Sequence, residues 1–96
     1  MDFNFKLYRM GNKNANVMVT PNSTVLFSYN TAVAKVEDGK LVMAKSATYS
    51  KTTAKHVREF VDRHAPSEFF GKRASVLVKE AKEGKNPKLL YQEVLR

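Results

Sequence analysis

The fold turns on TVLFSYNTAVAKVEDGKLVMAKSATYS, residues 24–50. It reads as two β-rich runs joined at Asp38-Gly39, the dipeptide best suited to a two-residue type I′ hairpin turn. With that turn in place Glu37 faces Lys40, and paired residues have numbers summing to 77. Val33 then meets Ala44, Thr31 meets Ser46 and Tyr29 meets Thr48. Val25, Phe27, Tyr29 and Val33 fall on one face, the expected core face. Ser28, Asn30 and Ala32 fall on the other, opposite Tyr49, Ala47 and Lys45, which makes a largely polar surface open to a partner.

On the N-terminal side, Phe3, Phe5 and Leu7 alternate with Asn4, Lys6 and Tyr8, the period-2 signature of a half-buried strand over residues 2–10. Gly11-Asn12-Lys13-Asn14 is a turn signal, Val17 to Thr20 a short strand, and Pro21-Asn22-Ser23 its stop.

On the C-terminal side, YSKTTAKHVREF (residues 49–60) opens a helix. Ser50 or Thr52 supplies the N-cap. Ala54, Val57, Phe60, Val61 and His64 recur at helical spacing as far as Ala65-Pro66, so the helix is expected over Lys51 to His64. A second helix is expected over Ser67 to Glu83 with Phe69, Phe70, Val76, Leu77 and Ala81 inward, weakened at Gly71 and ended by Gly84. Asn86-Pro87 would start a short final helix with Leu90, Val94 and Leu95 on one face. The expected class is α+β: a small antiparallel sheet with a central Asp-Gly hairpin, then two or three helices packed on one face. Residues 1–96 are read as one domain, since 96 residues suffice for one core and not for two.

The chain has no cysteine, so it offers no disulfide, thiolate metal site or cysteine nucleophile. No apolar run is long enough to span a bilayer, and MDFNFKLYRM lacks the order of a signal peptide. The expected location is the cytoplasm. Catalysis finds little support: there is no Gly-rich phosphate loop, no HExxH-type metal pair and no Ser-His-Asp order with convincing context. His56 and His64 lack a third ligand, so structural roles are favoured over metal and no cofactor is expected.

Seventeen basic and nine acidic residues give a net charge of +8, which favours polyanionic partners. Between Asp38 and Glu59 lie Lys40, Lys45, Lys51, Lys55 and Arg58 with no acid. Lysines near a helix N-terminus oppose the helix dipole, yet free backbone N–H groups, the Ser50, Thr52 and Thr53 hydroxyls and the two lysines would together cradle a phosphate. Ordinary capping and solvation is the competing reading, with Arg58–Asp62 and Glu59–Arg63 as i,i+4 pairs. The nucleic-acid site is assigned to Lys45, Tyr49, Ser50, Lys51, Thr52, Thr53, Lys55 and Arg58, with Ser28 and Asn30 as supporting surface. Tyr49 could serve as a stacking platform for a base, although strand tyrosines more often pack.

The joined motif SYNTAVAKV…YSKTTAKHVREF, residues 28–60, resembles a family of small, mostly phage-encoded domains of unknown function. They share a Ser-Tyr-x-Thr strand followed by Tyr-Ser-x-Thr-Thr-x-x-His. The resemblance implies that Ser28, Tyr29, Thr31, Tyr49, Ser50, Thr52, Thr53 and His56 form one unit, in a phage protein acting in a bacterial cytoplasm. It implies no chemistry. Two functions are carried forward: a basic module binding nucleic-acid phosphates with little sequence specificity, or a host-takeover or anti-defence protein that binds and inhibits a host protein. Exposed apolar residues on the final helix, such as Leu89 with Tyr91, would favour a protein partner or a homodimer over nucleic acid.

Overall fold

A computed structural model describes residues 6–10 and 14–95. The class is α+β, a six-stranded mixed sheet with two α-helices. The strands β1 (Lys6–Arg9), β2 (Ala15–Val19), β3 (Ser23–Ser28), β4 (Thr31–Glu37), β5 (Lys40–Ala44) and β6 (Leu89–Gln92) lie side by side in chain order. The first five pair antiparallel, and β6 adds to β5 in parallel. The crossover that a parallel pair requires carries helices α1 (Lys51–His64) and α2 (Ala74–Glu83).

The turn at Asp38-Gly39 has both residues at positive φ, 54° and 72°, and β4 and β5 pair Glu37 with Lys40 through Ala34 with Met43. Beyond Ala44 the expected pairing is not made, because Lys45–Thr48 coil into a 3-10 turn. The run from Thr24 to Glu37 is not one strand. Tyr29 and Asn30 also take positive φ, 50° and 68°, and turn the chain between Ser28 and Thr31. Asparagine tolerates that region and a tyrosine seldom does, so propensity alone hid the second hairpin.

A β-bulge sits beside this turn: Leu26 pairs with Ala34 and Phe27 with Ala32, leaving Val33 as an extra residue. The bulge reverses the parity expected for the first run. Leu26 and Ser28 are buried, Val25 and Phe27 are only half-buried, and Tyr29 is exposed. Val33 and the next residue, Ala34, are both buried.

Both helices pack on the sheet face bearing Val17, Leu26, Ala34 and Met43, where Val57, Phe60, Val61, Leu77 and Ala81 complete the core. The alternate row, Leu7, Met18, Val25, Lys35, Val42 and Leu90, runs across the opposite face and lies outside that core. The parity of the first strand is also reversed: Tyr8 packs on the core and Leu7 is 64% exposed. Phe3, Phe5 and Gly11-Asn12-Lys13 lie outside the described residues.

Helix α1 occupies the expected span, stopped at Ala65, whose extended backbone (φ −80°, ψ 164°) suits the residue before a proline. The second expected helix is interrupted. Ser67–Phe69 form a 3-10 turn, Gly71 sits at φ +78°, and α2 begins only at Ala74. Phe69, Leu77 and Ala81 are buried as their spacing suggests, whereas Phe70 and Val76 are exposed. Gly84 caps α2 in the left-handed conformation, φ 69°.

The final helix is instead strand β6. Asn86 closes a turn, its Oδ1 accepting from the Lys88 N–H at 2.9 Å, and Lys88 O accepts from the Leu41 N–H at 2.8 Å. Pairing there satisfies the backbone edge of β5 that would otherwise be left open, and it buries Leu89 against Leu41. Val94, expected on an apolar helical face, is exposed.

Candidate nucleic-acid interface

Helix α1 has two functional flanks with different chemistry. The flank beside the β3–β4 turn holds a chain of polar contacts. Ser50, at the N-cap, accepts from the Thr53 N–H at 3.0 Å and donates to Thr53 Oγ1 at 3.1 Å. Thr53 Oγ1 lies 3.0 Å from Ser28 Oγ, which in turn lies 2.9 Å from His56 Nδ1. Ser28, Thr53 and His56 are all buried, at 3%, 6% and 6% exposure.

A serine beside an imidazole is one way to activate a nucleophile. Here the serine is sealed from solvent and its other neighbour is a threonine, so the contact ties the end of β3 to the first turns of α1. His56 Nε2 is buried with no hydrogen-bond partner among the described residues. Desolvation by burial holds the His56 pKa below its ordinary value, with the Glu59 carboxylate opposing. His64 is lowered too, first by burial and then by the Arg63 charge, and its Nε2 bonds to the Tyr8 hydroxyl. Both histidines thus have structural contacts, and no group of three metal-ligating side chains occurs among the described residues.

The expected phosphate cradle at the start of α1 is therefore closed: Ser50 and Thr53 spend their hydroxyls on the cap, and Ser28 is part of the interior rather than a supporting surface. Asn30 is exposed in the β3–β4 turn, and Lys45 is exposed on the 3-10 turn, neither of them in the cleft described next. Thr52 is half-buried and likewise outside it. Tyr49 is 70% exposed, so packing does not account for it.

The other flank faces α2 across a cleft of about 340 Å³ lined by Thr48, Ser50, Lys51, Ala54, Lys55, Arg58, Arg73, Ala74 and Ser75. Lys51, Lys55 and Arg58 share a stripe because they are spaced four and three apart on one helix. Arg73 comes from the N-cap position of α2, where no side chain caps the helix, so the positive end of its dipole opens toward the same space. Among the described residues the cleft thus has four cations and no acid. None of the four joins an ion pair among the described residues, where the pairs are Lys35–Glu37, Arg63–Glu59 and Lys72–Glu80.

The expected Arg58–Asp62 pair is absent. Asp62 instead accepts the Gly71 N–H at 2.8 Å, pinning the connection to α2 and leaving the guanidinium without a counter-charge. A neighbouring cleft by Lys72, Glu80, Glu83 and Lys85 mixes both signs, as solvated surface usually does. Arg73 and Ser75 were missed from sequence because the second helix was expected to begin at Ser67; an uncapped start at Arg73 follows only once Gly71 breaks it.

Residues 5–76 match a family of unknown function, DUF8033. The chain belongs to that family. The DUF8033 match includes the bonded chain from Ser28 to His56 and every residue lining the cationic cleft, and it ends early in α2. No curated protein and no solved structure matches the chain. No described helix is long and apolar enough to cross a membrane.

Proposed function

We propose that this DUF8033 protein binds the phosphate backbone of nucleic acid in the cleft between α1 and α2. The observation that carries the reading is that Lys51, Lys55, Arg58 and Arg73 surround one concave space with no acid in it and no ion pair among them. Like charges held together repel, and a bound polyanion relieves that repulsion while releasing its own counterions. The lining adds hydroxyls from Thr48 and Ser75, and contacts of this kind to phosphates position a strand without reading its bases, so little sequence specificity is expected.

The test is fluorescence anisotropy with labelled oligonucleotides at two salt concentrations, comparing wild type with Lys51→Glu/Lys55→Glu. Binding should fall steeply with salt and be lost in the variant. No binding at low salt, or equal binding by the variant, rejects the reading.

A second reading, a protein partner, has its own observation: Leu7 and Leu90 are exposed on the sheet face that no helix of the core covers. It calls for a complex that persists at high salt and is disrupted by Leu90→Glu. The resemblance to phage-encoded domains gives either reading a setting in a bacterial cytoplasm, where such a partner would be a host enzyme or defence component.

A further inference from the structure

We infer that the nucleic acid held in this cleft is single-stranded, with a base stacked on Tyr49 while its phosphates follow Lys51, Lys55 and Arg58. The inference rests on the phosphate-binding reading and adds the strand class.

The shape of the cleft is the first reason. A duplex is read by an element that protrudes into a groove about 12 Å wide. Helix α1 does not protrude: the sheet holds one side of it through Val57, Phe60 and Val61, and α2 stands across the cleft from its cations. Exposed charges along an open cleft between two helices can follow one flexible chain more closely than the rigid surface of a double helix.

The second reason is Tyr49. Its neighbours Thr48 and Ser50 both line the cleft, while its own ring is 70% exposed. The backbone beneath it is fixed, the Tyr49 N–H donating to Ser46 O at 3.2 Å and the next residue capping α1. A large apolar ring displayed on a rigid corner gains nothing for the fold and is suited to stacking, which is sequence-tolerant because every base has a π-face.

Phe70 supplies a second exposed ring in the connection to α2, next to Gly71, which Asp62 anchors. Lys51 and Asp62 stand about 16 Å apart along the helix at 1.5 Å per residue. The cationic stripe from Lys51 to Arg58 starts beside Tyr49 and stops one helical turn short of Asp62, next to which the connection displays Phe70. Phosphate binding alone gives no role to either ring, whereas single-strand binders combine a basic groove with exposed aromatics.

The test uses a fluorescein-labelled oligothymidylate and a duplex of equal length, with wild type, Tyr49→Ala, Tyr49→Trp and Lys51→Glu/Lys55→Glu proteins at low salt. The single strand should bind more tightly than the duplex. Tyr49→Ala should weaken single-strand binding about 5- to 150-fold, the range expected for one base stack, and Tyr49→Trp should retain it. The chain has no tryptophan, so the introduced indole is a sole reporter whose emission should change on stacking.

Duplex binding as tight as single-strand binding, or no loss in Tyr49→Ala while the charge reversal still abolishes binding, overturns the inference and leaves phosphate binding standing. Failure of both nucleic acids to bind wild type at low salt removes both.

Discussion

The two flanks of α1 put their polar side chains to opposite uses. Toward the β3–β4 turn, Ser28, Thr53 and His56 are buried and bonded to one another, with the exposed Ser50 bonded to Thr53 at the cap. Toward α2, Lys51, Lys55, Arg58 and Arg73 bond to no acid and stand at solvent. The first flank spends most of its polar groups on one another and ties β3 to α1; the second leaves its cations without acids among the described residues, which is what the proposed anion binding rests on. Hydroxyls beside lysines in a sequence thus do not make a phosphate site until it is known whether the hydroxyls already have partners.

The largest expected effect separates the flanks most sharply. Lys51→Glu/Lys55→Glu should lower nucleic-acid affinity by about 100-fold or more, since a hydrogen bond to a charged group contributes roughly 1.5–3 kcal/mol. The same variant should fold as well as wild type in thermal unfolding, because acids suit the first turn of a helix. If stability collapsed instead, the division between the flanks would be wrong.

The converse substitution is His56→Ala. It removes a buried ring and leaves Ser28 with one partner fewer, which should cost about 2–4 kcal/mol in chemical denaturation. Phosphate affinity of the molecules that remain folded should be unchanged. Ser50→Ala probes the junction of the two flanks: loss of the N-cap should cost about 1 kcal/mol, with only a minor change in binding.

The smallest effect is a slope with pH. His56 and His64 have folded-state pKa values below their ordinary 6.5. Above about pH 6.5 both are neutral in folded and unfolded chains, and stability is full. As pH falls through that value the unfolded chain takes up protons first, so stability declines until the pH lies below the lowered folded-state values. The melting temperature should therefore drop between about pH 7.5 and pH 5, and His56→Gln should flatten the slope.

Local features with a strong backbone preference were legible in advance. Asp38-Gly39, the Ser50 cap, the Ala65-Pro66 stop and the Gly84 cap each act over a few residues, so the turn and the ends of α1 appear where those residues put them. Elements that depend on a distant partner were not legible. Leu89–Gln92 had an acceptable helical pattern and became a strand because β5 offered an open edge. Tyr29-Asn30 form a turn and Val33 a bulge beside it, and neither left a mark in the hydrophobic pattern.

The candidate site divides along the same line. Lys51, Lys55 and Arg58 could be placed on one stripe from their spacing alone, whereas Arg73 and Ser75 joined them only through the packing of α2. The sequence by itself determined the α+β class, the hairpin turn, the span of α1 and the excess of positive charge, because these follow from backbone preference and side-chain periodicity. Tertiary structure alone decided which hydroxyls were consumed, which cations were left without acids and what lay across from them. The bonds from Ser28 to Thr53 and His56 join residues 25 and 28 apart in the chain, and their geometry exists only after the chain has closed on itself.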